Sequence, residues 1–134
     1  MIVNAENRSK VLMLEDEPII GRAVSRSLAS RGFDVEVALN GLIAKEKIDA
    51  HNQYEFLICD IKTPVMNGIQ LFEYLQQQHH ILADRVIFTS GDSLGIITKQ
   101  FIEKVARPFL SKPYTPTQLL DLIAEVFNLN MVQP

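Results

Sequence analysis

The sequence predicts an α/β fold: a doubly wound, five-stranded parallel sheet in the order 2-1-3-4-5, with helices on both faces. Three observations predict it. Short continuous apolar runs, VLML and FLIC among them, suit strands buried on both faces. Apolar residues at helical spacing follow each run, and strand and helix alternate five times. The 134 residues contain no internal repeat, low-complexity tract or linker, so they read as one unit joined by right-handed crossovers.

The first strand covers 11–14. Pro18 then stands where a first helical turn tolerates it, Ile20, Ala23, Val24 and Leu28 follow at helical spacing, and Gly32 supplies the stop. Residues 33–39 alternate around Asp34 and Glu36 as a second strand. A helix over 41–51 turns Leu42, Ala44 and Ile48 inward. The third strand is 56–59, ending on Asp60. Asn67-Gly68 is a hairpin signal, but Ile69, Leu71, Phe72 and Leu75 recur at intervals of three and four, which favours Asn67 as a helix cap. The fourth strand is 86–90. From Ser93 a helix carries Leu94, Ile97, Phe101 and Val105 on one face. Phe109 and Leu110 form a short fifth strand. The last helix opens on Thr115-Pro116-Thr117-Gln118, a capping box with proline at its first helical position.

Composition narrows the function. Apolar residues make up 47% and charged residues 22%, an ordinary globular balance. The single Cys59 rules out an internal disulfide, fits a reducing compartment and reads as a small buried hydrophobe. A net charge of −3 argues against a broad nucleic-acid-binding surface. No apolar run is long enough to span a membrane and the N-terminus lacks a secretory pattern, so the expected location is cytoplasmic. His51, His79 and His80 lack metal-ligand spacing; the last two fall at a predicted helix end, where cations are mildly favoured.

Open sheets of this kind bind ligands beyond the carboxyl ends of their strands. Strand one ends in Glu15, Asp16 and Glu17, and strand three in Asp60. Strand four ends in Thr89, Ser90 and Gly91, and strand five in Ser111, Lys112 and Pro113. Crowded carboxylates repel one another unless a cation intervenes. Hard oxygen donors with no His or Cys nearby suit Mg²⁺. A lysine beside them can balance an incoming phosphoryl group, a hydroxyl can donate to one of its oxygens, and Gly91 leaves room for its approach. Any one of these acids alone would read as a solvated loop residue. Their convergence at the ends of four predicted strands does not.

Through VLMLEDEP, LICDIKTPVMNG, VIFTSGD and PFLSKPY, in that order, the chain resembles the receiver domains of two-component response regulators. The family's fold is the flavodoxin-like, or CheY-like, sheet. The resemblance places a receiver domain over 10–128, between an N-terminal extension (1–9) and a C-terminal tail (129–134). It implies that Asp60 is the phosphoacceptor, drawing a phosphoryl group from a sensor histidine kinase or a histidine phosphotransfer protein. It implies Mg²⁺ (or Mn²⁺) held directly by Asp16 and Asp60, through a water by Glu15, and by the backbone carbonyl of Lys62. Ser90 matches the switch hydroxyl, Lys112 the phosphoryl-binding lysine, Pro113 the cis-proline and Phe109 the aromatic switch residue.

Such a chain is expected to be a phosphorylated switch, with self-catalysed uptake and autodephosphorylation, rather than an enzyme. Ser90 would move towards the phosphoryl group and Phe109 would fill the space vacated, shifting a two-state equilibrium. The expected output surface is the last two helices and the fifth strand. Ile96, Ile102 and Leu122 there read equally as exposed docking residues or as core. Lys62 is unusual in charge; it would pair with Asp92 or obstruct attacking water and prolong the phosphorylated state, or simply be solvated. Phe109 has no hydroxyl, so its signal would be one of packing. The segment 101–108 resembles receivers attached to hybrid histidine kinases more than stand-alone chemotaxis receivers.

Three other readings fit less well. An aspartate-based Mg²⁺ phosphatase usually needs an acid where Lys62 stands. A dinucleotide-binding domain needs a glycine-rich turn after strand one. A partner-binding pseudo-receiver is expected to have lost part of the site. With no DNA-binding helix pair, the chain is expected to act on an effector protein in trans, without direct nucleic-acid or membrane contact. It could equally be a receiver excised from a hybrid kinase, and a homodimer is left open.

Overall fold

The computed structural model describes residues 8–50, 53–78, 80–91 and 95–127. Its strands are β1 (Ser9–Leu14), β2 (Phe33–Ala38), β3 (Tyr54–Asp60), β4 (Val86–Ser90) and β5 (Phe109–Ser111). Its helices are α1 (Pro18–Ala29), α2 (Gly41–Ala50), α3 (Gly68–Gln77), α4 (Ile96–Val105) and α5 (Pro116–Phe127), with a 3₁₀ turn at Ile81–Asp84 before β4. All strand pairs are parallel and the order is β2-β1-β3-β4-β5, as the sequence predicts. None of the described helices is long and apolar enough to cross a membrane.

Strand alternation builds two apolar layers. Leu12, Leu14, Leu57, Cys59, Val86 and Phe88 face α2, α3 and α4, with Leu71, Phe72 and Leu75 of α3 packed onto them. Val11, Met13, Phe56, Ile58 and Ile87 face α1 and α5, where Val24, Leu28, Leu119 and Ile123 close the layer. The opposite orientation of successive strand residues is what allows one strand to serve both layers.

The helix starts are where the sequence puts them except at α4, which begins at Ile96 behind an extended Gly95 rather than at Ser93, because the Gly95 backbone is not helical. Asn67 caps α3: its side chain accepts from the Gln70 amide and the Gln70 side chain accepts from the Asn67 amide, both at 2.9 Å. Thr115 and Gln118 make the same reciprocal pair at α5. Side-chain facing departs from expectation in several places. Leu39 lies outside β2, Ala23 is on the solvent side of α1, and Leu42 of α2 is 42% exposed. In α4 the inward row is Thr98, Phe101, Ile102 and Val105, while Ile97 is 77% exposed. A residue one step off a 3.6-residue stripe points about 100° away from it, and Ile97 sits one step off. His80 does not end a helix; its Nδ1 accepts from the Leu82 amide at 3.1 Å and caps the 3₁₀ turn. His51, His79, Asp92, Ser93 and Leu94 lie outside the described residues.

The loop between β3 and α3 is folded back tightly. The Gly68 amide donates to Ile61 O at 3.0 Å, and the Thr63 hydroxyl to Met66 O at 3.1 Å. Val65 takes a left-handed φ of 67°, a costly conformation for a β-branched residue, with its side chain 76% exposed. A Cβ on Gly68 would stand 2.5 Å from Asp60 O and 2.9 Å from Cys59 Sγ. Gly68→Ala is therefore expected to lower unfolding free energy by about 1–3 kcal/mol, measured by denaturant titration; a stability equal to wild type would show that the loop can retreat.

Candidate functional site

The layer facing α1 and α5 ends in a row of polar residues. Two positions beyond Met13, Ile58, Ile87 and Leu110 come Glu15, Asp60, Thr89 and Lys112. The ladder carries the alternation past the ends of the strands: the Glu15 amide donates to Ala38 O at 3.0 Å, and the Lys112 amide to Ser90 O at 2.7 Å. Glu15, Asp60, Thr89 and Ser90 are all buried.

Lys112 ties the acids together. Its Nζ donates to Asp60 Oδ2 at 2.9 Å and to Glu15 Oε2 at 3.1 Å, and lies 2.8 Å from Glu15 Oε1. The Glu17 amide donates to Glu15 Oε2 at 3.1 Å, and the Lys62 amide lies at the long distance of 3.4 Å from Asp60 Oδ1. Burial raises the pKa of both Asp60 and Glu15, with the Lys112 hydrogen bonds opposing the rise. Burial lowers the pKa of Lys112, but its bonds to Glu15 and Asp60 outweigh that and raise it, which keeps the ammonium protonated. Asp16 is exposed at the rim, and Glu15, Asp16 and Asp60 each bring one oxygen within 4.8 Å of the others. This all-oxygen donor set fits a hard divalent cation.

The remaining expected residues occupy two sides of the sheet. Ser90 follows Phe88 in the other layer, on the side where Phe109 packs, and its buried hydroxyl has no partner among the described residues. It makes no hydrogen bond to Asp60 or Lys112. Phe109 is half-buried and registers against Phe88. The Lys112-Pro113 peptide is cis. The Lys62 side chain is exposed, and its suggested partner Asp92 lies outside the described residues. A Cβ on Gly91 would meet nothing within 4 Å among the described residues. A cavity of about 390 Å³, lined by Glu17, Ile20, Gly91, Lys112, Pro113 and Tyr114, adjoins the lysine.

Two groups escaped the sequence reading. Thr89 appears there only as a strand-end residue, although its hydroxyl is buried without a partner among the described residues. Tyr114 also buries an unpartnered hydroxyl, its pKa pushed up to about 12 by burial and by the Glu15 charge. Counting strand parity back from Asp60 and Lys112 would have found Thr89.

A doubly wound sheet with a lysine-bridged acidic cluster at its carboxyl edge defines a domain of the CheY kind. The chain belongs to the response regulator receiver domain family, whose model matches residues 11–124. It is 31% identical over 115 residues to a probable transcriptional regulator, ycf29, of Porphyra purpurea, covering 84% of this chain and 54% of that one. It is 28% identical to chemotaxis protein CheY1 of Helicobacter pylori, covering 90% of this chain and 98% of that one. Chemotaxis protein CheY4 of Vibrio cholerae superposes with a TM-score of 0.76 at 27% identity, over 89% of this chain and 98% of that one. The chain spans about half the length of the first curated relatives it matches.

The raised carboxyl pKa values fix a pH dependence. Folded Asp60 and Glu15 hold protons more tightly than the unfolded chain does. Their penalty is absent below the ordinary carboxylate range and grows as pH rises through it. Asp60→Asn leaves Lys112 paired with Glu15 and removes one buried charge. In chelator-containing buffer it is expected to melt above wild type at neutral pH, the gap closing towards about pH 4. Thermal scans across that range check this, and a gap independent of pH would contradict it.

Proposed function

We propose that this chain is the phosphoacceptor receiver of a two-component or phosphorelay system, with Asp60 as the acceptor. The observation that carries the reading is the buried Asp60 carboxylate, held at the open end of the sheet by a lysine that also holds Glu15. An Asp60 oxygen attacks the phosphorus of a phosphohistidine; the P–N bond breaks and its electron pair returns to the imidazole. Lys112 follows the charge onto the phosphoryl oxygens, already protonated and already in contact with the nucleophile. Asp16, Asp60 and the carbonyl of Lys62 would hold Mg²⁺ or Mn²⁺, with Glu15 behind a water, and the ion when bound supplies neutralisation of phosphoryl charge.

The added group carries nearly two negative charges. Ser90 then turns its unpartnered hydroxyl towards the phosphoryl oxygens, and Phe109 takes up the room left in its own layer. The change shifts an existing equilibrium by its differential stabilisation of one state. The receiver occupies 10–128, and its donor is a sensor histidine kinase or histidine phosphotransfer protein. Its output face is α4, β5 and α5, where Ile96 is 75% exposed. Ile102 and Leu122 pack on the core, so they support the fold rather than docking.

Two measurements test this reading. Incubation with acetyl phosphate and Mg²⁺ is expected to add one phosphoryl mass to the intact protein and none to Asp60→Asn. A mass gain retained in that variant would place the acceptor elsewhere. Lys62 stands two residues from the acceptor with an exposed side chain, and on this reading it obstructs attacking water. Lys62→Ala is expected to hydrolyse its acyl phosphate up to about tenfold faster, equivalent to about 1.4 kcal/mol in the barrier. An unchanged rate would reduce Lys62 to a surface charge.

A further inference from the structure

Thr89 is fully buried, and its hydroxyl has no hydrogen-bond partner among the described residues. Its Cα registers directly against that of Asp60 across the β3–β4 pair, and Ile61 N donates to its carbonyl at 2.9 Å. The preceding pairs fix the direction of both side chains. Cys59 and Phe88 face α2, α3 and α4, while Ile58 and Ile87 face α1 and α5. Asp60 and Thr89 continue the second row, as does Lys112 two residues beyond Leu110. Same-face neighbours on adjacent strands have Cβ atoms about 5 Å apart, close enough for a hydroxyl to reach a carboxylate by a rotation about χ1. Ser90 belongs to the opposite face. Of the two hydroxyls at the end of β4, the one on the acceptor's own face is that of Thr89.

A buried donor left unmade is costly, whereas an apolar residue of the same shape costs nothing there. We propose, resting on the phosphoacceptor reading of Asp60, that Thr89 is a positioning residue for the acceptor carboxylate. In the resting structure Lys112 occupies Asp60 Oδ2. Once Lys112 has moved onto the phosphoryl oxygens, the Thr89 hydroxyl, buried, without a partner among the described residues and on the residue registered against Asp60, is positioned to take its place. It acts as the phosphoryl group leaves. Water forms a bond to phosphorus, the P–Oδ bond breaks, and its electron pair becomes the Asp60 carboxylate; both water protons depart on inorganic phosphate. A hydroxyl bonds more strongly to the carboxylate produced than to the acyl carbonyl consumed. It therefore favours hydrolysis and shortens the phosphorylated state.

The test follows acyl phosphate loss by intact mass after loading with acetyl phosphate and Mg²⁺, beside thermal melting of the unloaded proteins. Thr89→Val is expected to lengthen the phosphorylated lifetime about three- to tenfold without lowering the melting temperature. Thr89→Ser is expected to restore the wild-type lifetime. Should the valine variant not fold, Thr89→Ala is read in the same way. Equal lifetimes for wild type and Thr89→Val overturn the proposal, as does a serine variant that behaves like valine, since shape rather than the hydroxyl would then matter. Wild-type protein that takes up no phosphoryl mass, or Asp60→Asn that does, overturns the acceptor reading itself.

Discussion

One ammonium group holds the end of this sheet together. Glu15 and Asp60 are carried by β1 and β3, the central strands, to a depth at which neither carboxylate keeps its full hydration. Burial, and repulsion from a neighbouring carboxylate (Asp60 on Glu15, Asp16 on Asp60), favour their protonated forms. Lys112, arriving from β5 at the far edge, places Nζ within 3.1 Å of both acids and cancels one of the two charges. The doubly wound order makes this possible, because it sets β3 between β1 and β4 and lets the short β5 deliver a long side chain from beyond them. Neutralisation is incomplete by design of the residue count: two buried acids and the exposed Asp16 face one lysine. That surplus of negative oxygen is what suits the pocket to a divalent cation.

Much of this was legible in the sequence because it depends on local chemistry. Apolar runs gave the strands, proline and Asn or Thr caps gave the helix starts, and the acids and lysine announced themselves by standing where those runs stop. What escaped has a common physical origin. Leu42 and Ile97 are apolar residues one step off the buried stripe, and composition alone does not report a helix's rotation about its axis. His80 was read through its charge, whereas its lone pair caps a 3₁₀ turn. Thr89 and Ser90 are chemically alike neighbours, and only strand register says which face each takes. The motif resemblance selects Ser90 and is silent on the difference.

That difference bears on how the two faces communicate. The charged cluster lies on the face of α1 and α5, and Phe109 packs on the other, beside Phe88 and Phe101, whose rings meet edge to face at 5.3 Å. The end of β4 spans both, with Thr89 directed to one side and Ser90 to the other. On the proposed function, a change of charge at Asp60 reaches the aromatic layer when a group crosses the sheet's edge. Ser90 is the last residue of β4, registered against Ser111 and held through its carbonyl by the Lys112 amide, so it is the Ser90 side chain that would do so. On the proposed function, Ser90 is the group that leaves its layer and Thr89 the one that stays. The same two residues would then divide the labour, one carrying the signal outward and the other setting how long it lasts.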